Sequence, residues 1–87
     1  MEKIKSKYVS VSVHDRTLYL EYSLYKYSMD EFFRYSVSVT DRSSGEISVV
    51  QDITTDYFVA AQCFQRVVNG KVTPVTLLDV ISDFVAE

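Results

Sequence analysis

The sequence predicts an α+β fold, a four-stranded antiparallel meander with two C-terminal helices packed on one face, in the order β-β-β-β-α-α. Three observations lead there. Between Tyr8 and Gln51, apolar side chains recur at every second position in four separate runs, as half-buried strands require. The connections between the runs are short, which pairs successive strands antiparallel. Beyond Ile53 the apolar spacing becomes helical, with two helix-start signals and an Asn-Gly stop between them.

The first strand spans Tyr8 to His14, with Val9, Val11 and Val13 on one face and Tyr8, Ser10, Ser12 and His14 on the other. Asp15 and Arg16 make the turn. The second strand runs from Thr17 to Tyr27, with Leu18, Leu20, Tyr22 and Leu24 inward and Tyr19, Glu21, Ser23, Tyr25 and Tyr27 outward. Ser28 to Glu31 reads as a loop. The third strand alternates Phe33, Tyr35, Val37 and Val39 against Phe32, Arg34, Ser36, Ser38 and Thr40. Asp41 to Gly45 is a hairpin connection in which Gly45 takes positive φ. Ile47 and Val49 then give a fourth strand its inner face, with Ser48 outward, ending near Gln51.

The inner face of such a sheet must be covered, and the rest of the chain supplies the cover. Thr54 is the expected N-cap of the first helix, Asp56 adds charge to its first turn, and Ile53 staples to Phe58. Tyr57, Ala61, Phe64 and Val68 share one helical face with Ala60 and Val67 at its margins, and Gly70 ends the helix in the left-handed region. Pro74 prevents a continuous helix. Thr76, with Asp79 three residues on and Val75 and Val80 flanking, carries the second start, and Leu77, Ile81 and Phe84 form its apolar stripe, flanked by Leu78 and Val85. Helices about 8–10 Å apart can span strands about 4.8 Å apart, so two helices suffice for four strands.

Eighty-seven residues make a single domain, 1–87, in which 1–6 reads as a flexible N-terminal arm. A chain this size buries roughly 60% of its unfolded surface, so marginal stability or support from self-association is expected. The net charge of -3 disfavours nucleic acid as the dedicated partner. One cysteine forbids an intrachain disulfide and suits the reducing cytoplasm. The basic N-terminus is followed by no apolar run of signal-peptide type, and no stretch approaches a membrane span.

Residue types that do chemistry are few. His14 stands alone at a strand end and reads as a surface histidine. Cys63, at the boundary of the first helix, reads as an inert, partly buried thiol. One histidine and one cysteine cannot assemble the usual structural zinc set, and neither DRSSG nor VVNGK has phosphate-loop spacing. Neither catalytic residue, cofactor nor metal is expected. Asp79, Asp83 and Glu87 form an acidic stripe that Lys3, Lys5 and Lys7 could answer, within the chain or across a dimer. The outer sheet face is the unusual feature: tyrosine and serine dominate it, with titratable groups only at His14, Glu21, Arg34 and Glu46. An aromatic, charge-poor surface is how interfaces differ from ordinary surface.

Several segments carry a resemblance. Leu20-Glu21-Tyr22 in the second strand, Ile53-Thr54-Thr55-Asp56 at the first helix and Val72 to Phe84 at the C-terminus resemble a family of small uncharacterised proteins of clostridia and related Gram-positive bacteria, classed as a domain of unknown function. The similarity runs from about Leu18 to Phe84 and is most specific in the last segment. It implies no activity and no site residues. The expectation from the residues is a non-enzymatic protein-protein interaction module, self-associating or binding another protein through the outer face, with Tyr19, Tyr25, Tyr27 and Arg34 at the contact. Two alternatives follow from the same face and the interior. The first is single-stranded nucleic acid stacked on the rings. The second is a small ligand held between sheet and helices near Tyr22, Tyr35 and Tyr57.

Overall fold

A computed structural model describes residues 1–86, with the backbone alone at Met29. Strands β1 (Glu2–Val13), β2 (Arg16–Met29), β3 (Phe32–Asp41) and β4 (Ile47–Thr54) form one antiparallel sheet in sequential order. Helices α1 (Tyr57–Asn69) and α2 (Leu77–Ala86) follow. α1 lies across β2, β3 and β4, while α2 packs on β4 and α1. The fold is the predicted β-β-β-β-α-α sandwich of two layers. Its longest dimension, 48 Å, is that of the β1–β2 hairpin: fourteen residues of β2 at about 3.4 Å each.

The core lies where the alternation places it. Leu20, Tyr22 and Leu24 of β2 and Tyr35, Val37 and Val39 of β3 are buried with Ala60, Cys63, Phe64, Val67 and Val68 of α1, and with Leu77 and Ile81 of α2. Val9 and Val11 of β1, beyond the reach of the helices, are half-buried. The inner tyrosine Tyr22 donates its hydroxyl to the Val72 carbonyl at 2.8 Å, tying β2 to the connection between the helices. Burial pushes that phenol up to about 12.

Several local readings are corrected. Residues 2–6, expected as an arm, form the first half of β1, where Glu2 faces Lys26 and Lys3 faces Tyr25. The alternation fades there because Ile4 is an extra residue between Lys3 and Lys5 and lysines occupy the other positions. The first turn is His14–Asp15 with His14 at φ 55, and the second is Asp30–Glu31 with Asp30 at φ 57, each one to two residues tighter or earlier than read. Asp and His tolerate the left-handed region better than most non-glycine residues, and this makes two-residue connections workable without glycine. Gly45, at φ 80, behaves as expected.

The largest correction concerns β4. Val50 faces Val37 and Ser48 faces Val39, so the inner face of β4 is Ser48 and Val50; Ile47 and Val49 point outward with Thr40 and Ser38. A bulge then separates Val50 from Thr54, with Asp52 at φ 58, and Ile53 returns to pack on the core.

The helix ends also move. Thr54 still pairs with Tyr35 as strand, so the cap falls on Asp56, whose carboxylate accepts from the backbone N–H of Phe58 at 2.8 Å and of Val59 at 3.4 Å. Phe58 is exposed and makes no staple. The buried stripe of α1 is centred on Ala60, Cys63 and Val67 rather than on Tyr57 and Ala61. Cys63 is therefore fully buried, and burial raises its thiol to about 11. Gly70 has φ -79, and Lys71, at φ 52, takes the left-handed position instead. Thr76 turns its hydroxyl back to the Thr73 carbonyl, and Val75 is exposed, so the second start uses neither the capping box nor the staple.

Candidate functional site

The outer face can be read as rows across the strands. One row is Tyr8, Glu21, Thr40 and Ile47; the next is Ser6, Ser23, Ser38 and Val49; the third is Lys3, Tyr25 and Ser36. Tyr19 opens a row beyond the first, and Tyr27 opposite Arg34 closes the last. The four predicted contact residues do share this face, but the structure divides them. Tyr19 and Tyr25 are six residues apart on β2, about 20 Å at strand rise.

Between the two ends lies a floor of serines. Ser23, Ser36 and Ser38 are buried although no second layer covers them. Their side chains are short enough to sink below the rings and the guanidinium on either side.

The Tyr27 end is charge-paired, although Arg34 Nε and Ser36 Oγ are buried there without a hydrogen-bond partner among the described residues. Tyr27 donates to the Asp52 carboxylate, which also lies 3.5 Å from Arg34 Nε. That hydrogen bond raises the Tyr27 phenol above the ordinary tyrosine range. Asp52 reaches both partners because it stands on the β4 bulge. Tyr25 carries the Lys3 ammonium over its ring at 5.8 Å, and Lys3 pairs with Glu21 at 3.4 Å. Lys3 is thus committed to Glu21, and β1 and α2 lie at opposite sides of the sheet. Among the described residues no ion pair joins Lys3, Lys5 or Lys7 to Asp79 or Asp83, and Glu87 lies outside them.

The Tyr19 end is open. Tyr8 is 60% and Tyr19 53% exposed, and the Arg42 guanidinium stands over the Tyr8 ring at 5.4 Å. The Arg42 backbone N–H donates to the Tyr19 carbonyl at 2.8 Å, which anchors the β3–β4 loop against β2. Tyr8, Ser10, Tyr19, Arg42 and Ser43 surround a cleft of about 350 Å³. Unlike Lys3 and Arg34, Arg42 has no carboxylate within ion-pair distance among the described residues.

Sequence reasoning missed Tyr8 and Arg42 as partners of Tyr19, and missed Ile47 and Val49 as outer residues. The signal for Arg42 was the loop itself, since DRSSG returns the chain beside the start of β2. Among the described residues no group of three or more His, Cys, Asp or Glu side chains is placed to hold a metal ion. No helix among them is long and apolar enough to cross a membrane.

A family model described as a family of unknown function, DUF6514, matches residues 1–87. The chain belongs to that family. No curated protein and no solved structure matches it. For this DUF6514 chain, then, the functional reading has to come from the face just described. Rings, a guanidinium and hydroxyls converge on a cleft, and the Tyr8 hydroxyl donates to the Glu21 carboxylate at 3.3 Å beside it, an arrangement able to bind a polar or charged group.

Proposed function

We propose that this DUF6514 protein is a non-enzymatic interaction module of the Gram-positive bacterial cytoplasm. Its outer sheet face docks a partner protein, and the Tyr8–Tyr19–Arg42 cleft takes a carboxylate-bearing side chain. The observation that carries the reading is the contrast in charge state across one face. Lys3 and Arg34 are neutralised in place by Glu21 and Asp52, whereas the Arg42 guanidinium stands over the exposed Tyr8 ring with no carboxylate in ion-pair distance among the described residues. Tyrosine and arginine supply most hot-spot energy in protein contacts. A prearranged ring and guanidinium also lower the ordering cost of binding. The single free, buried thiol fits a reducing compartment.

The nucleic-acid alternative needs several cations to displace counterions from phosphates, and among the described cations of this face Lys3 and Arg34 are already paired with Glu21 and Asp52, which leaves Arg42. The interior alternative would have to displace core: Tyr22 is fully enclosed and its hydroxyl is already used by Val72.

The test is a photo-reactive phenylalanine analogue placed at Ser43, on the rim of the cleft, in the source cells, with adducts mapped by mass spectrometry. The expected result is one partner protein joined at a segment that contains Asp or Glu, lost in Arg42→Ala and kept in Lys71→Ala. Adducts indifferent to Arg42→Ala overturn the reading. Adducts to the chain's own peptides replace the foreign partner with a second copy on the same face.

A further inference from the structure

The two edges of the sheet are built differently. β1 carries Lys3, Lys5 and Lys7, and lysines on a free edge discourage strand addition. β4 presents Ile47-Ser48-Val49-Val50-Gln51 before its bulge, without a charge, a proline or a glycine. We propose that β4 is a pairing edge occupied by β4 of a second copy, antiparallel about a two-fold axis, with the two α2 helices meeting beside it. This surface is separate from the cleft at Arg42, and the inference does not rest on that reading.

Charge decides the occupant first. Antiparallel self-pairing of β1 would set its lysines against one another, which is destabilising. Self-pairing of β4 over Ile47–Gln51 brings no like charges together within the paired length; Glu46 and Asp52 of the two copies flank it, with Asp52 already paired to Arg34. The bulge, with Asp52 at φ 58, ends the regular edge and so limits the paired length. Five residues paired antiparallel centre on the third, so Val49 meets Val49 of the second copy and Ile47 meets Gln51.

Area is the second argument. A strand pair of five residues is only about 17 Å long, small beside the roughly 800 Å² per partner of a stable assembly. The flank of β4 supplies more. A groove of about 340 Å³ opens along it, lined by Val50, Ile53, Ile81 and Val85 with Ser82, and by Asp52 as its one charged residue. Leu78, Ser82 and Val85 fall at i, i+4 and i+7 on α2, one stripe, and Leu78 is 59% and Val85 57% exposed. Asp79 and Asp83 lie about 90° and about 130° round the helix from the centre of that stripe, and it carries no charge.

The dimer so formed is an eight-stranded sheet with all four helices on one side and both outer faces on the other. It also accounts for Ile47 and Val49, which are 60% and 45% exposed on the outer face of the isolated chain and would sit at the centre of the joined surface.

Sedimentation equilibrium on the full chain tests this, with circular dichroism to confirm folding. Wild type is expected to dimerise in the micromolar range. Val49→Lys, exposed in the monomer, places two ammonium groups face to face and should weaken the dimer about tenfold or more. Leu78→Lys should weaken it through the helix stripe. A geometric check is independent of affinity: directly opposed residues in an antiparallel pair have Cα atoms about 4.5–5.5 Å apart, within disulfide range. Val49→Cys should therefore crosslink two copies under mild oxidation while Ser44→Cys, in the β3–β4 loop, does not. A wild type monomeric to millimolar concentration, a dimer unmoved by Val49→Lys, or no Val49→Cys crosslink overturns the proposal.

Discussion

On the inner side of β2 and β3, Leu20, Tyr22, Leu24, Val37 and Val39 are enclosed beneath α1 and α2. On the outer side of the same strands Ser23, Ser36 and Ser38 are enclosed just as completely, with nothing stacked above them. The first group is hidden by a second layer and the second by its own neighbours. Burial of equal extent therefore does not mean equal stabilisation. Apolar side chains moved out of water contribute roughly 1.5–3 kcal/mol each, whereas a hydroxyl that exchanges water for a protein partner gains only about 1 kcal/mol, and Ser36 Oγ finds no partner among the described residues. The inner face carries the stability, which leaves the outer face free to carry a contact.

The sharpest way to break that comparison is a matched pair of truncations. Leu24→Ala should cost about 2–5 kcal/mol in urea unfolding, since it opens a cavity between sheet and helices. Ser38→Ala, equally buried on the other side, should change stability by no more than about 1 kcal/mol. Equal losses would mean that the serine floor is a second core.

Tyr22 gives the next largest effect and adds a pH signature. In Tyr22→Phe the Val72 carbonyl loses its donor inside the fold, at a cost of about 1–3 kcal/mol. The folded phenol ionises at about 12 and the unfolded one at the ordinary value of 10.0. A raised folded value means that the native state holds its proton while the unfolded chain releases it. The contribution is complete below pH 10 and is lost as pH rises from 10 toward 12. Tyr22→Phe should flatten that alkaline limb in unfolding curves taken between pH 9 and 12.

Asp56 ranks third. It holds the start of α1, the helix that covers three of the four strands, so Asp56→Ala should cost about 1 kcal/mol. Thr54→Ala should cost less, because the Thr54 hydroxyl accepts only from the Asp56 N–H, at 3.0 Å, outside the helix. The reverse order in thermal unfolding would restore Thr54 as the cap.

That cap shows where the sequence was legible and where it was not. Strand alternation in β2 and β3 read correctly because both faces are unambiguous there: Leu20-x-Tyr22-x-Leu24 admits only one inward parity. In β4, Ile47, Val49, Val50 and Ile53 offer both parities. The choice is made by the five-residue return from Asp41 to Ile47, closed by the Asp41 N–H to the Glu46 carbonyl at 2.8 Å, which sets Ser48 opposite Val39. A one-residue slip turns every side chain over. The two-residue excess between Val50 and Thr54 then delays the helix, moving the cap from Thr54 to Asp56. Period alone places Tyr19, Tyr25, Tyr27 and Arg34, the residues expected at a contact, on one face of the sheet, as the register shows. Period could not pair them with Arg42 or Asp52, because a loop and a bulge bring those in from β3 and β4.

The smallest effect on stability is expected at the Tyr27–Arg34–Asp52 cluster, and there the comparison between faces is tested from the outer side. Asp52→Asn suits the left-handed backbone at that position, since Asn adopts it readily. It weakens the hydrogen bond that chiefly raises Tyr27, since a neutral amide oxygen accepts less strongly than a carboxylate, and removes the charge that pairs with Arg34. Absorbance titration should then show one phenol returning toward the ordinary tyrosine range, while the unfolding midpoint at pH 7 stays close to wild type. Midpoint and titration should separate because a raised phenol contributes nothing pH-dependent below its unfolded value, and the cluster stands in solvent, where paired charges are well screened. A midpoint lowered as far as in Leu24→Ala would show that the outer cluster holds the sheet together. The tyrosines would then be committed to the fold and could not be spared for a partner.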